Sequence, residues 1–80
     1  MKAKEAVKCR ILELLRDNHL TVNALADLAG VPPSTIYSML NEKSKNPGVV
    51  SLQKICDGFE ISLRTFFDTP LFEGIEQEIE

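Results

Sequence analysis

The stretch "LTVNALADLAGVPPSTIYSMLN", Leu20 to Asn41, decides the fold. Thr21 offers a hydroxyl to cap a helix, Leu25 and Leu28 follow at helical spacing, and Gly30 tolerates the left-handed backbone that ends helices. A short helix over about 22–29 and a tight turn are expected. Beyond the turn, Ile36, Met39 and Leu40 fall on one face of a second helix, with Ser34, Tyr37, Ser38 and Asn41 leaning the other way. Pro33 sits at the first helical position, where an N–H has no intrahelical partner and a fixed φ is already helical. The pair Pro32-Pro33 therefore starts this helix rigidly instead of breaking it.

Outward from that core, "KAKEAVKCRILELLRDN" repeats Ala3, Val7, Ile11, Leu14 and Leu15 with a helical period, giving a helix over about 3–17 that stops near Asn18. The loop "EKSKNPGVV" carries the Asn46-Pro47-Gly48 break. Ser51 is read as the cap of a helix with Leu52, Ile55, Cys56 and Phe59 inward, and Ser62 as the cap of another with Leu63, Phe66 and Phe67 inward. Leu71, Ile75 and Ile79 recur at every fourth residue among glutamates, which allows a short sixth helix. Nothing alternates with period two, so the fold class is all-α, a compact bundle of five helices. Residues 1–69 form the domain, with the two central helices at about 21–41, and 70–80 an acidic C-terminal tail.

At 80 residues the chain is one small domain, with 44% hydrophobic and 26% charged residues. It has no apolar run of the roughly 18 residues that would span a bilayer. The N-terminus is charged at helical spacing, unlike a secretory leader, so a cytoplasmic location without membrane contact is expected. Cys9 and Cys56 are then expected as buried or half-buried free thiols. Together with His19 they fall short of the roughly four ligands of a zinc site. No nucleophile–base pair or phosphate-cradling glycine loop is present either. No metal, cofactor or enzymatic activity is expected.

The net charge of −3 hides a division along the chain. Through Lys54 there are eight basic residues against five acidic ones, and from Ile55 onward Arg64 faces seven acids. The first part can tolerate phosphate; the acidic end would repel it.

In this frame the sequence resembles the Cro/phage-repressor (XRE) family of bacterial helix-turn-helix proteins over about residues 8–68. Thr21, Leu25, Ala26, Gly30, Val31, Ile36, Lys43, Pro47, Ile55, Ile61, Ser62 and Phe67 fall in the family's register. The resemblance implies a lambda-repressor-like bundle that binds double-stranded DNA and regulates transcription, as a repressor. It places Val22, Pro33, Ser34, Tyr37 and Ser38 at the base-reading positions. Thr21, Asn23 and Thr35 at helix starts, with Lys43, Ser44, Lys45 and Asn46 in the following loop, are placed at the phosphates.

Val22 stands where the family usually has glutamine, and Pro33 where it often has glutamine or arginine. The bidentate contacts that distinguish guanine or adenine, each worth about 1–3 kcal/mol, are thereby lost. Thymine methyl contacts and short hydroxyl hydrogen bonds remain, so an A·T-rich inverted repeat is expected, read by a homodimer. Tyr37 is equally a groove contact or a ring half-buried against the loop. Leu71, Phe72, Ile75 and Ile79 either associate with a second copy or fold back onto the first helix and the phenylalanines. A rival role is that of an antitoxin, or another module of the same fold that docks a toxin or regulator protein.

Overall fold

The computed structural model describes residues 1–41 and 47–76. Among these the protein is entirely helical: α1 (Ala3–Asp17), α2 (Val22–Ala29), α3 (Pro33–Leu40), α4 (Val49–Phe59), α5 (Leu63–Phe67) and a 3-10 turn, Pro70–Phe72. Every helix sends an apolar side chain into one core. Ile11, Leu25, Ile36, Ile55 and Phe66 lie at its centre, completely shielded from solvent. Val7, Leu14, Leu15, Ala26, Met39, Leu52, Cys56 and Phe59 surround them, and no polar side chain of the described residues is buried with them. Two large residues of the expected apolar faces are instead exposed: Leu28 by 60%, and Phe67 by 41% because it sits at the end of a five-residue helix, with Phe66 and Phe72 against its ring.

Three helices end in the same way. After α1, α2 and α4 a residue turns left-handed: His19 (φ 55°), Gly30 (φ 70°) and Glu60 (φ 60°). The next residue's N–H then reaches back five positions, from Leu20 to the Leu15 carbonyl (2.9 Å), Val31 to Ala26 (3.1 Å) and Ile61 to Cys56 (2.9 Å). This is the Schellman closure, which satisfies carbonyls the helix leaves orphaned. Its usual apolar contact is present each time, since Leu20, Val31 and Ile61 all pack against the core.

Close approach of α2 and α4 depends on Gly58. It is buried, and a Cβ there would stand 3.0 Å from Leu25 Cδ1 and 3.1 Å from the Ala29 backbone nitrogen. Beside it, burial first and then the Asp57 charge push the Cys56 thiol above its ordinary pKa, with Arg10 pulling weakly the other way. Cys56 is thus a buried thiol, and Cys9 a half-buried one.

Two boundaries differ from expectation. Helix α4 starts at Val49 with extended Gly48 as its N-cap, and Leu52 N–H donates to the Gly48 carbonyl at 3.0 Å. Ser51 lies within the first turn and caps nothing there. Glycine is an accepted N-cap, and the extra turn leaves Val49 and Val50 on the surface, which is why the apolar pattern gave no sign of it.

At the other end, the four-residue spacing of Leu71 and Ile75 builds no α-helix. A 3-10 turn begins at Pro70, and Gly74 then adopts φ 67°. Phe72 folds back, its ring 4.8 Å from Phe67 and 6.1 Å from Phe66 between centroids. Glu76 N–H donates to the Met1 carbonyl at 3.1 Å, returning the chain to the start of α1. Ile79 lies outside the described residues.

Candidate nucleic-acid interface

The hydroxyl of Thr21 accepts the Ala24 N–H at 3.1 Å and fixes where α2 begins. Gly30 ends α2, and a β-carbon added there would meet nothing within 4 Å, so glycine is required for conformation and not for space. Pro32 is extended (φ −64°, ψ 144°), and Pro33 is the first residue of α3. With Pro32 held by its ring, α3 leaves the turn in one direction. The inward side chains Ile36 and Met39 then fix its rotation about its own axis.

That rotation exposes a continuous strip. Ser34, Tyr37, Ser38 and Asn41 are all exposed at spacings of three and four, with exposed Pro33 at the head of the helix. Tyr37 is 57% exposed, so its ring stands out from α3 and is not packed away. At the start of α2, Thr21 and Asn23 are exposed, while Val22 is half-buried against the core and offers only part of its side chain. Thr35 is half-buried, its N–H donating to the Pro32 carbonyl at 3.0 Å. Lys43, Ser44, Lys45 and Asn46 lie outside the described residues. What the fold assembles is a rigid, outward helix face of small hydroxyls, one phenol and one amide.

Two placements lie beyond reading along the chain. Arg10 is turned into the fold: Nε donates to the Phe66 carbonyl at 2.8 Å, Nη2 to the Thr65 carbonyl at 3.0 Å, and Nη1 pairs with Glu13. It therefore has to be removed from the basic residues available to a ligand. Conversely, the lysines of the first turns of α1 reach the far end of α3. Lys2, Lys4 and Lys8 line a groove of about 250 Å³ together with Glu5, Met39, Leu40 and Asn41. Their spacing on α1 was visible; their meeting with α3 was not.

A capped helix, a left-handed glycine turn and a second helix presenting a polar face define a helix-turn-helix module of the kind that lies against a nucleic acid. The chain belongs to the Cro/C1-type helix-turn-helix DNA-binding domain family, whose model matches residues 10–70. It is similar to prophage Lp1 protein 11, known from a crystal structure. The two are 38% identical with a TM-score of 0.78, covering 88% of this chain and 93% of that one. No curated protein sequence matches it. The protein is thus a DNA-binding regulator of the Cro/C1 type. No helix among the described residues is long and apolar enough to cross a membrane.

Proposed function

We propose that this domain represses transcription by docking α3 in the major groove of duplex DNA. Two copies on an inverted repeat rich in A·T pairs would form the active species, acting by occupancy and without catalysis. The exposed strip Ser34–Tyr37–Ser38–Asn41, held on a fixed turn, is the observation that carries this reading. Eight residues of α3 span about 12 Å at 1.5 Å per residue, enough to face three or four base pairs. One copy alone therefore reads too little sequence to single out a site, which favours a pair of half-sites about 34 Å apart.

The side chains set the base preference. Serine and tyrosine hydroxyls make short or water-mediated hydrogen bonds, and Pro33 with the accessible part of Val22 suits thymine methyl groups. Bidentate guanine recognition has no side chain to perform it at those positions. Exposed Thr21 and Asn23 would meet phosphate beside the α2 start, where unpaired N–H groups favour anions. Lys43 and Lys45, which follow α3 in sequence, would add charge. Such a regulator works in the cytoplasm.

Selection of sites from a random duplex pool tests the proposal. An A·T-rich inverted repeat is expected among the winners. Guanine as the most strongly selected base of each half-site would contradict the proposed readout. No enrichment at all would turn the domain toward protein partners.

A further inference from the structure

We infer that the groove between the start of α1 and the end of α3 is a second seat for the DNA backbone, in which Lys4 and Lys8, supported by Lys2, hold phosphates. This rests on the proposed docking of α3 and extends it to residues of another helix. The strip of α3 runs from Ser34 to Asn41, and Asn41 is itself part of the groove wall. A ligand lying along that strip therefore meets the α1 lysines as it leaves the helix. Duplex DNA has the matching chemistry: base edges in the groove, and a line of negative charge along each border.

Lys4 and Lys8 stand four residues apart on α1, on one face, with β-carbons about 5–6 Å from each other. Both are half-buried. Met39 and Leu40 line the same groove and offer the apolar surface that lysine stems cover while their ammonium groups stay in water. Both lysines already take part in interactions within the protein, so phosphate would be added to or exchanged for existing partners. Among the described residues that line the groove, Glu5 is the one acid against three lysines, and that balance favours an anion. An acidic peptide would satisfy that charge too, but nothing about it would explain the junction with the exposed face of α3.

The test titrates the full chain with its selected duplex over a series of salt concentrations. Each phosphate contact contributes about 0.9 to the slope of log affinity against log salt concentration. The double variant Lys4→Ala/Lys8→Ala is expected to lose about 1.8 of slope, and to bind roughly tenfold or more weakly near 0.1 M salt. Its base preference should be unchanged, since phosphate contacts carry no sequence information. Glu5→Gln gives a gain to set beside that loss: it should tighten binding several-fold at low salt. A double variant that keeps its helical spectrum and the wild-type slope overturns the inference and leaves the docking of α3 standing. A wild-type chain that binds no duplex even at low salt overturns both.

Discussion

The chain contains two helix–turn–helix units, α2–α3 and α4–α5, and their turns are nearly the same. Each first helix ends in a left-handed residue, Gly30 or Glu60, and each turn closes with the same five-residue back-bond, from Val31 or Ile61. Each then passes through an extended residue, Pro32 or Ser62, into the next helix. The second helices have opposite fates. Helix α3 runs eight residues with one polar face in solvent. Helix α5 runs five, and Arg10 ties down its Thr65 and Phe66 carbonyls while Phe67 stacks edge-on with Phe66 and Phe72. The turn thus positions a helix, whereas what surrounds that helix decides whether it can meet a partner.

The largest expected effect breaks the contact between the two units. Gly58→Val would force side-chain atoms against Leu25 and the Ala29 backbone, and should lower unfolding free energy by about 3 kcal/mol in a urea titration. Helix propensity contributes little against a clash with backbone.

Next comes the lock on α5. Arg10→Ala removes charge-assisted hydrogen bonds to the Thr65 and Phe66 carbonyls from a side chain only 12% exposed, at a cost of about 2 kcal/mol. Well below its melting temperature this variant should show the wild-type salt slope for DNA, because Arg10 is committed to the fold. A drop in that slope would return Arg10 to the binding surface.

The smallest effect distinguishes the two turns. Gly30→Ala should destabilise by about 1 kcal/mol, as a β-carbon enters the left-handed region with nothing else to collide with. Glu60→Gly should do the reverse and stabilise by about 0.5–1 kcal/mol, since Glu60 now bears that strain. Equal responses at the two sites would mean the turns are not equivalent after all.

Local chemistry was legible in the sequence wherever a residue's own preferences decide the outcome. The Thr21 and Ser62 caps, the Gly30 turn and the Pro33 start all follow from side-chain geometry within three or four residues. Legibility failed where a competing residue served equally well, as Gly48 did in place of Ser51, and where Gly74 broke the spacing of Leu71 and Ile75. His19 and Glu60 gave no warning of their left-handed backbone, because neither is a glycine. Contacts made through space were also beyond reach. Arg10 finds its two carbonyl partners more than fifty residues away, and the α1 lysines meet α3 only after the bundle has closed. For the interface, exposure of Ser34, Tyr37 and Ser38 follows from helical period, whereas the partial burial of Val22 depends on packing from other helices.

Docking of α3 on DNA is tested most directly by following backbone amide signals of the full chain by NMR while its selected duplex is added. The largest changes are expected from Ser34 to Asn41 and at Thr21 and Asn23, with lesser ones around Lys4 and Lys8 and quiet signals from Leu63 to Phe72. Changes concentrated at α5 and the Pro70–Phe72 turn, with α3 silent, would contradict that docking.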